Sequence, residues 1–546
     1  MNRTFPFLIP LLALCILPAF AAAPGNAPAM GVSVLDHGAA GDGTALDSAA
    51  VQAAIDACAA AGGGTVLLPP GVYRCGTVRL KSGVMLWLDH GATILGSTRK
   101  EDYDPLETLD FKNDADIETT YFHRSLIRGE DVERVGVAGF GVIDANFPRR
   151  GGPKTLAFKR CRFVEIHNIH IKNVPNYAVS LLGTDDVNID GVTILNGFAD
   201  GIDPDSCRNV RISNCRISTV DDAIVPKASF SLGERRPCEN ITVTNCVLST
   251  VCNGFKLGTE SGGDFRRIAF SNSVITGYGD NRPALSGIAL ESVDGSRLQG
   301  ITVSNITMVN VRAPVFIRLG NRGRDMETPV PGTVSDISIS NITATGASLA
   351  CSVTGIPGHP VRGVTLDNIR VVFDGANPPM APGAEVPEEE ASYPEAVMFG
   401  PLPAYALYAR HVEDLVVSNF RAAWRDGFWR LTTDIYRDIK WPGDGTMPSH
   451  AEPGDAGTAL VLDDVTRLRL ESFDARPAAS GGPLMRLVNV RGALITGGMP
   501  HAGTPVYAAV DGAESRDLRF HGNLMPPDCA AAVTGENVNP AAAVIE

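Results

Sequence analysis

Short alternations of apolar and polar residues, each closed by Asn or Gly, recur along most of this chain: VEIHN at Asn168, VNIDG at Gly191, VRISN at Asn214, ITVTN at Asn245 and IAFSN at Asn272. The series runs on through ITVSN at Asn305, ISISN at Asn341, VTLDN at Asn368 and LVVSN at Asn419. The spacing is 23 residues twice, then 31, 27, 33 and 36 as the turns lengthen. Period two marks a strand, and the closing residue marks a turn. A strand-and-turn unit repeated with insertions on its turns is the pattern of a solenoid. No strong helical period separates the units, which argues against a doubly wound sheet and predicts an all-β parallel β-helix. Neighbouring coils in such a stack lie about 4.8 Å apart, so residues one coil apart stand above one another. Cys215 and Cys246, each just after the repeat Asn, fall into one internal ladder, read as buried thiols rather than a metal site.

Ahead of the repeat, Asp47 is placed to cap a helix from Ser48 to about Ala60, with Val51, Ile55 and Cys58 on one face and Gly62-Gly63-Gly64 ending it. Such a helix is expected to cover the open edge of the first coil. Segments at about 101–124, 312–334, 373–403 and 423–457 do not fit the repeat. Loops on a solenoid collect on one side and wall its groove, and long ones can close one end of it.

Met1 to about Ala23 carries one basic residue, Arg3, an apolar run and an A-x-A-like site at Ala19-Phe20-Ala21, and reads as a secretory signal peptide. The protein is therefore expected to be exported, to a periplasm or beyond. Residues 24–546 read as one β-helix domain, with an N-terminal cap at about 32–64, central coils at about 126–311 and weaker coils at about 400–525. At 546 residues and 44% apolar, the chain can bury a long core. The formal net charge of −14 makes nucleic acid a poor partner, and no other stretch is long and apolar enough to span a bilayer. A monomer is expected. Ten cysteines follow the leader, and pairs such as Cys207 with Cys215 or Cys238 are open to disulfide formation on export.

Chemistry concentrates on three consecutive coils. FADGIDPDSC holds Asp200, Asp203 and Asp205; STVDDAIVPK holds Asp221, Asp222 and Lys227; VCNGFKLGTES holds Asn253, Lys256 and Glu260. Glycosidic hydrolysis needs a carboxylic acid to protonate the leaving oxygen and a carboxylate to act on water or on the sugar. Crowded carboxylates also raise at least one pKa, which keeps that acid protonated near neutral pH. Asp is equally at home in turns, so spacing alone leaves a turn-capping role open.

The opening VSVLDHGAAGDGTALDSAAVQAAIDAC with GGGTVLLPPGVY, followed in order by ADGID, DDAIVPK and NGFKLG, resembles glycoside hydrolase family 28, the polygalacturonases and rhamnogalacturonases. The resemblance is clearest over about residues 32–311. It implies a right-handed parallel β-helix that hydrolyses pectic polysaccharides with inversion. No metal-binding spacing stands out, since IDPDS has too few spaced acids for a calcium loop, and no cofactor is expected. The resemblance also implies that Asp221 is the general acid and that Asp200 and Asp222 act on the water. Directly stacked carboxyls would lie near about 5 to 5.5 Å, whereas inversion needs about 6.5 to 9.5 Å, so acid and base are expected to be offset diagonally.

Two motifs depart from that family. Cys252-Asn253-Gly254 stands for Gly-His-Gly, and Ala289-Leu290-Glu291 stands for Arg-Ile-Lys, the pair that grips a galacturonate carboxylate beside the cleaved bond. An acid at Glu291 is expected to repel a uronate, which favours a rhamnogalacturonan or another branched uronate-containing glycan. Asn253, Lys256, Lys227, Glu260, Glu291 and Arg318 are the candidate substrate-binding residues, with Arg322 and Arg324 behind them. Two other readings stand beside the hydrolase. One is a β-helix polysaccharide lyase using Lys227 or Lys256 as its base; the other is a non-catalytic glycan-binding β-helix.

Overall fold

The computed structural model describes residues 31–279, 282–376, 380, 385–431, 451–453, 456–479 and 481–546. The leader expected over residues 1–23 lies outside them, as does much of the 423–457 segment. Within them the chain is a right-handed parallel β-helix whose coils present three stacked faces.

One face holds the repeat strands. Arg162–His167, Asp185–Asp190, Arg208–Ser213 and Cys238–Thr244 stack in register through Val164, Val187, Val210 and Ile241. The closing Asn then turns the chain: Asn168, Asn214, Asn245, Asn272, Asn305, Asn341, Asn368 and Asn419 have φ between 47 and 58°. Asn tolerates this left-handed conformation better than other side chains do. The amides form an exposed ladder, in which Asn305 donates to Asn272, Asn341 to Asn305, Asn368 to Asn341 and Asn419 to Asn368.

After the turn a second face begins, with Thr193–Gly197, Arg216–Thr219 and Val247–Thr250 stacked in parallel. The third face holds the strands with Asp203, Asp205, Lys256 and Glu291. Lys154–Lys159, Val179–Leu182, Ile202–Asp205, Asn253–Leu257, Ala284–Ser292 and Val311–Leu319 stack through Leu156, Val179, Ile202, Ile224, Phe255, Ile288 and Val315. Apolar side chains from all three faces meet inside in one long core, where Phe255 stacks on Phe270 with ring centroids 4.6 Å apart.

Some expectations change and others hold. Residues 312–319 belong to a strand, not an inserted loop. All nine residues of Val311–Leu319 are buried, so the strand shows no alternation by which to recognise it. The helix spans Ser48–Ala60 and buries Val51, Ile55 and Cys58, but the Asp47 side chain does not cap it. Its carboxylate instead accepts from the Ala40 and Gly41 amides, closing the preceding turn. Parallel pairing continues beyond residue 451: Leu460–Glu471 joins Leu407–Leu431, and further strands follow as far as Ala543–Ile545. The ten cysteines are free and buried, with Cys215 and Cys246 adjacent on neighbouring coils.

Candidate active site

A backbone relay aligns the acids. The Ala178 amide donates to the Asp200 carbonyl at 3.1 Å, Gly201 to Asp222 at 2.9 Å and Ala223 to Asn253 at 2.9 Å. Asp200, Asp222 and Asn253 thus share one ladder position on consecutive coils, and Asp221 stands one residue ahead of it. The stacking that sequence spacing suggested for the Asp221-Asp222 pair as a whole falls on Asp222.

These acids open onto a pocket of about 220 Å³ whose wall includes Arg150, Tyr177, Lys227, Lys256, Glu260 and Tyr393. Asp116, Cys252, Gly258, Thr259 and Glu395 complete it. Its floor is charged, buried and paired. Lys227 Nζ donates to Asp200 at 2.8 Å, Asp203 at 2.7 Å and the Tyr177 hydroxyl at 2.9 Å. Lys256 Nζ lies 3.2 Å from Asp222 and 3.9 Å from Glu291. The Asn253 side-chain amide donates to Asp222 Oδ1 at 2.7 Å. Arg150 Nη1 donates to Asp221 Oδ2 at 2.6 Å, while Asp221 Oδ1 accepts the Asp222 amide.

This arrangement splits the titration of neighbouring acids. Burial pushes Asp221 up to about 6, helped by the charges of Asp200 and Asp222 and opposed by Arg150. Burial acts on Asp222 too, but Lys256, Asn253 and Cys252 outweigh it and hold Asp222 below the usual range. Asp200 is driven well up by burial against the pull of Lys227, with Asp203 and Asp222 adding to the rise. Burial works against charge on Lys227 and Lys256 as well, yet the carboxylates around them hold both well above the ordinary lysine range. Pushing two adjacent carboxyls in opposite directions separates an acid from a base.

One atom each from Asp221, Asp222 and Cys252 lies within 4.8 Å of the others, the one set among the described residues that could hold a metal ion. Its donors are otherwise engaged. Arg150 holds Asp221, Lys256 and Asn253 hold Asp222, and burial keeps the Cys252 thiol protonated.

Of the residues singled out from sequence, Asp200, Asp221, Asp222, Lys227, Lys256 and Glu260 meet at the pocket. Asn253 lies behind it, on Asp222. Glu291 is fully buried beside Lys256, outside the pocket wall, with neither carboxylate oxygen hydrogen-bonded, and burial pushes it up to about 8. Arg318 is corrected. It is 1% exposed, and its guanidinium donates to the carbonyls of Gly355, Glu388 and Glu389, so it anchors a loop rather than meeting substrate. Arg322 pairs with Asp294, and Arg324 with Glu260.

Sequence reasoning missed Arg150, Tyr177, Asp116, Tyr393 and Glu395. Arg150 follows an irregular turn, while Asp116, Tyr393 and Glu395 come from the off-repeat segments. The expectation that those segments wall a groove was the one signal pointing to them.

The sequence model of the family described as Glycosyl hydrolases family 28 matches residues 105–391. One described as Rhamnogalacturonase A/epimerase, pectate lyase-like, matches residues 31–93. A probable polygalacturonase of Vitis vinifera is 25% identical over 370 residues, which cover 62% of this chain and 74% of that one. Among solved structures, a hyperthermoactive exopolygalacturonase from Thermotoga maritima has a TM-score of 0.55 at 23% identity and covers 71% of this chain and 92% of its own. The family 28 exopolygalacturonase of Yersinia enterocolitica has a TM-score of 0.56 at 17% identity, with 80% and 78% covered.

Proposed function

The chain belongs to glycosyl hydrolase family 28, and from that premise we propose that its pocket cleaves a pectic, uronate-containing glycan with Asp221 as general acid and Asp222 as base. The observation that carries this assignment is the opposed titration of two adjacent carboxyls in one pocket, Asp221 raised to about 6 and Asp222 lowered. Asp221 gives its proton to the glycosidic oxygen as the bond to the anomeric carbon breaks. Asp222 takes a proton from the water that attacks that carbon, and Asp200 orients the water. One water is consumed, and two hydroxyl-terminated products leave.

The inverting course is the one the family resemblance implies. The nearest oxygens of Asp221 and Asp222 fall within 4.8 Å, shorter than the about 6.5 to 9.5 Å between the carboxyls of inverting enzymes. On this reading the attacking water sits between Asp200 and Asp222. Proton NMR of the first product tests this, since retention of the anomeric configuration would reject it.

The preferred substrate is a rhamnogalacturonan rather than plain homogalacturonan. Among the described residues, six carboxyl side chains line the pocket against three cations, and each of those cations is bonded to an acid. On the C-terminal side of the acids Lys256 is buried and paired, which suits a neutral sugar there. The family model naming rhamnogalacturonase matches only residues 31–93, ahead of the pocket, and adds nothing to this choice. Export of the protein is part of the proposal and rests on the sequence of residues 1–23 alone.

A lyase needs an uncharged lysine or arginine to take a proton. Lys227 and Lys256 are held charged by their acids, which disfavours that reading. The test is incubation with homogalacturonan, rhamnogalacturonan and neutral glycans, following reducing ends and ultraviolet absorbance together. New reducing ends without absorbance, abolished by Asp221→Asn, support the hydrolase; absorbance would establish a lyase, and silence on every glycan would leave a binding protein.

A further inference from the structure

Among the described residues three cations line the pocket, and they differ in availability. The side chains of Lys227 and Lys256 are 5% and 3% exposed, whereas that of Arg150 is 36% exposed. Arg150 comes from the turn between the strands Val142–Asp144 and Lys154–Lys159, two coils before the strand Ile202–Asp205 that follows Asp200. It therefore approaches from the N-terminal side of the acids, while Lys256 approaches from the C-terminal side.

Its two contacts also differ. Nε and Nη2 fork onto the carboxylate of Glu118, and Nη1 reaches Asp221. Glu118 is tied down: it sits on the short helix Ile117–Thr120, and its carbonyl accepts from Lys154 Nζ, which is buried and also bonded to Ser180. Glu118 thus acts as a fixed mount for the guanidinium, and the Asp221 contact is the one that faces the pocket.

On the hydrolase reading above, we propose that Arg150 is the specificity-determining residue that binds the carboxylate of a uronate on the N-terminal side of the acids, exchanging its contact with Asp221 for that carboxylate. A guanidinium presents several donors in a fixed plane, so it can keep Glu118 while turning Nη1 to a second carboxylate. The exchange has a chemical consequence. Asp221 faces Arg150, Asp200, Asp222 and Cys252, and Arg150 is the cation among them. Losing the Nη1 bond leaves Asp221 with a weaker cationic contact beside two acids and a thiol, so it holds its proton more firmly until the leaving oxygen needs it. Recognition of the correct sugar and arming of the acid become one event. A uronate on the Arg150 side and a neutral sugar on the Lys256 side is the alternation a rhamnogalacturonan presents.

The experiment compares wild type, Arg150→Gln and Arg150→Lys on a rhamnogalacturonan oligosaccharide and on its carboxyl-reduced counterpart. Loss of a charge-assisted contact predicts that Arg150→Gln lowers the ratio of the two kcat/KM values by about 30-fold, with Arg150→Lys recovering part of it. The alkaline limb of the pH profile on the reduced substrate moves to higher pH in Arg150→Gln. Equal loss on both substrates, or no loss on the uronate, overturns the proposal. If the wild type turns over neither oligosaccharide, the rhamnogalacturonan reading fails. Calorimetric titration of the same pair into wild type and Arg150→Gln then decides the role of Arg150, and equal affinities reject it.

Discussion

The Asn ladder and the acid ladder stand on different faces of the same solenoid, and both arise because the coil spacing places like residues above like. An amide carries donor and acceptor in one group, so Asn341 donates to Asn305 and accepts from Asn368, and the stack satisfies itself in the open. A carboxylate only accepts. Stacking Asp200 above Asp222 brings two acceptors together, and the structure answers with Lys227 and Lys256 from neighbouring positions, all of them buried. Repetition alone therefore builds a scaffold, whereas repetition of a group that cannot pair with itself gathers the charges that chemistry uses.

The sharpest break between the two ladders is Asp221→Asn. It should lower kcat by about 10³-fold or more, since general acid catalysis is lost. Its effect on thermal stability should be small, because the removed acid is raised by burial and held as a neutral group at low pH. Parallel turnover and melting measurements check both, and a matching loss of fold would show that the residue merely supports the coil.

Next in size is Lys256→Met, which leaves Asp222 and the buried Glu291 facing each other without their cation. Removing one partner of a buried charge pair costs about 3 to 5 kcal/mol, read from denaturant unfolding. Asp222 should also titrate at higher pH, so the acid limb of the activity profile moves up.

The pH profile itself sharpens the contrast. Asp221 must carry its proton, and its pKa is raised to about 6, so kcat/KM should be level below that value and fall about tenfold per unit above it. Asp222 must be ionised and is held low, so the acid limb lies well below. A profile rising through pH 7 would reverse the two roles.

The smallest effect belongs to the amide ladder. Asn341→Ala removes two hydrogen bonds and places a poor residue at φ 56°, a cost of about 1 to 2 kcal/mol with turnover intact. Asn341→Gly, which accepts that backbone, should cost less.

What could be read from the chain follows the same division. Asp200, Asp221 and Asp222 were legible because they keep step with the Asn repeat, and register alone brings them together. Arg150, Asp116 and Tyr393 were not, because their segments carry no period and their reach depends on how a turn folds back. Glu291 and Arg318 misled for another reason. In Ala284–Ser292 and Val311–Leu319 every residue is buried, so alternation, the cue that tells an outward side chain from an inward one, is missing. Sequence showed their charge, but not that Glu291 would lie beneath Lys256 or that Arg318 would hold loop carbonyls.

That last contact sets a schedule. Arg318 grips the carbonyls of Glu388 and Glu389, and the same segment brings Tyr393 and Glu395 to the pocket wall. A growing chain emerges from its N-terminus, and the coils holding Asp200 and Asp222 can close long before Glu395 exists. Asp200, Asp221 and Asp222 are thus in place early, and the part of the wall that Tyr393 and Glu395 supply arrives late, so a chain halted between those points would leave that side of the pocket open.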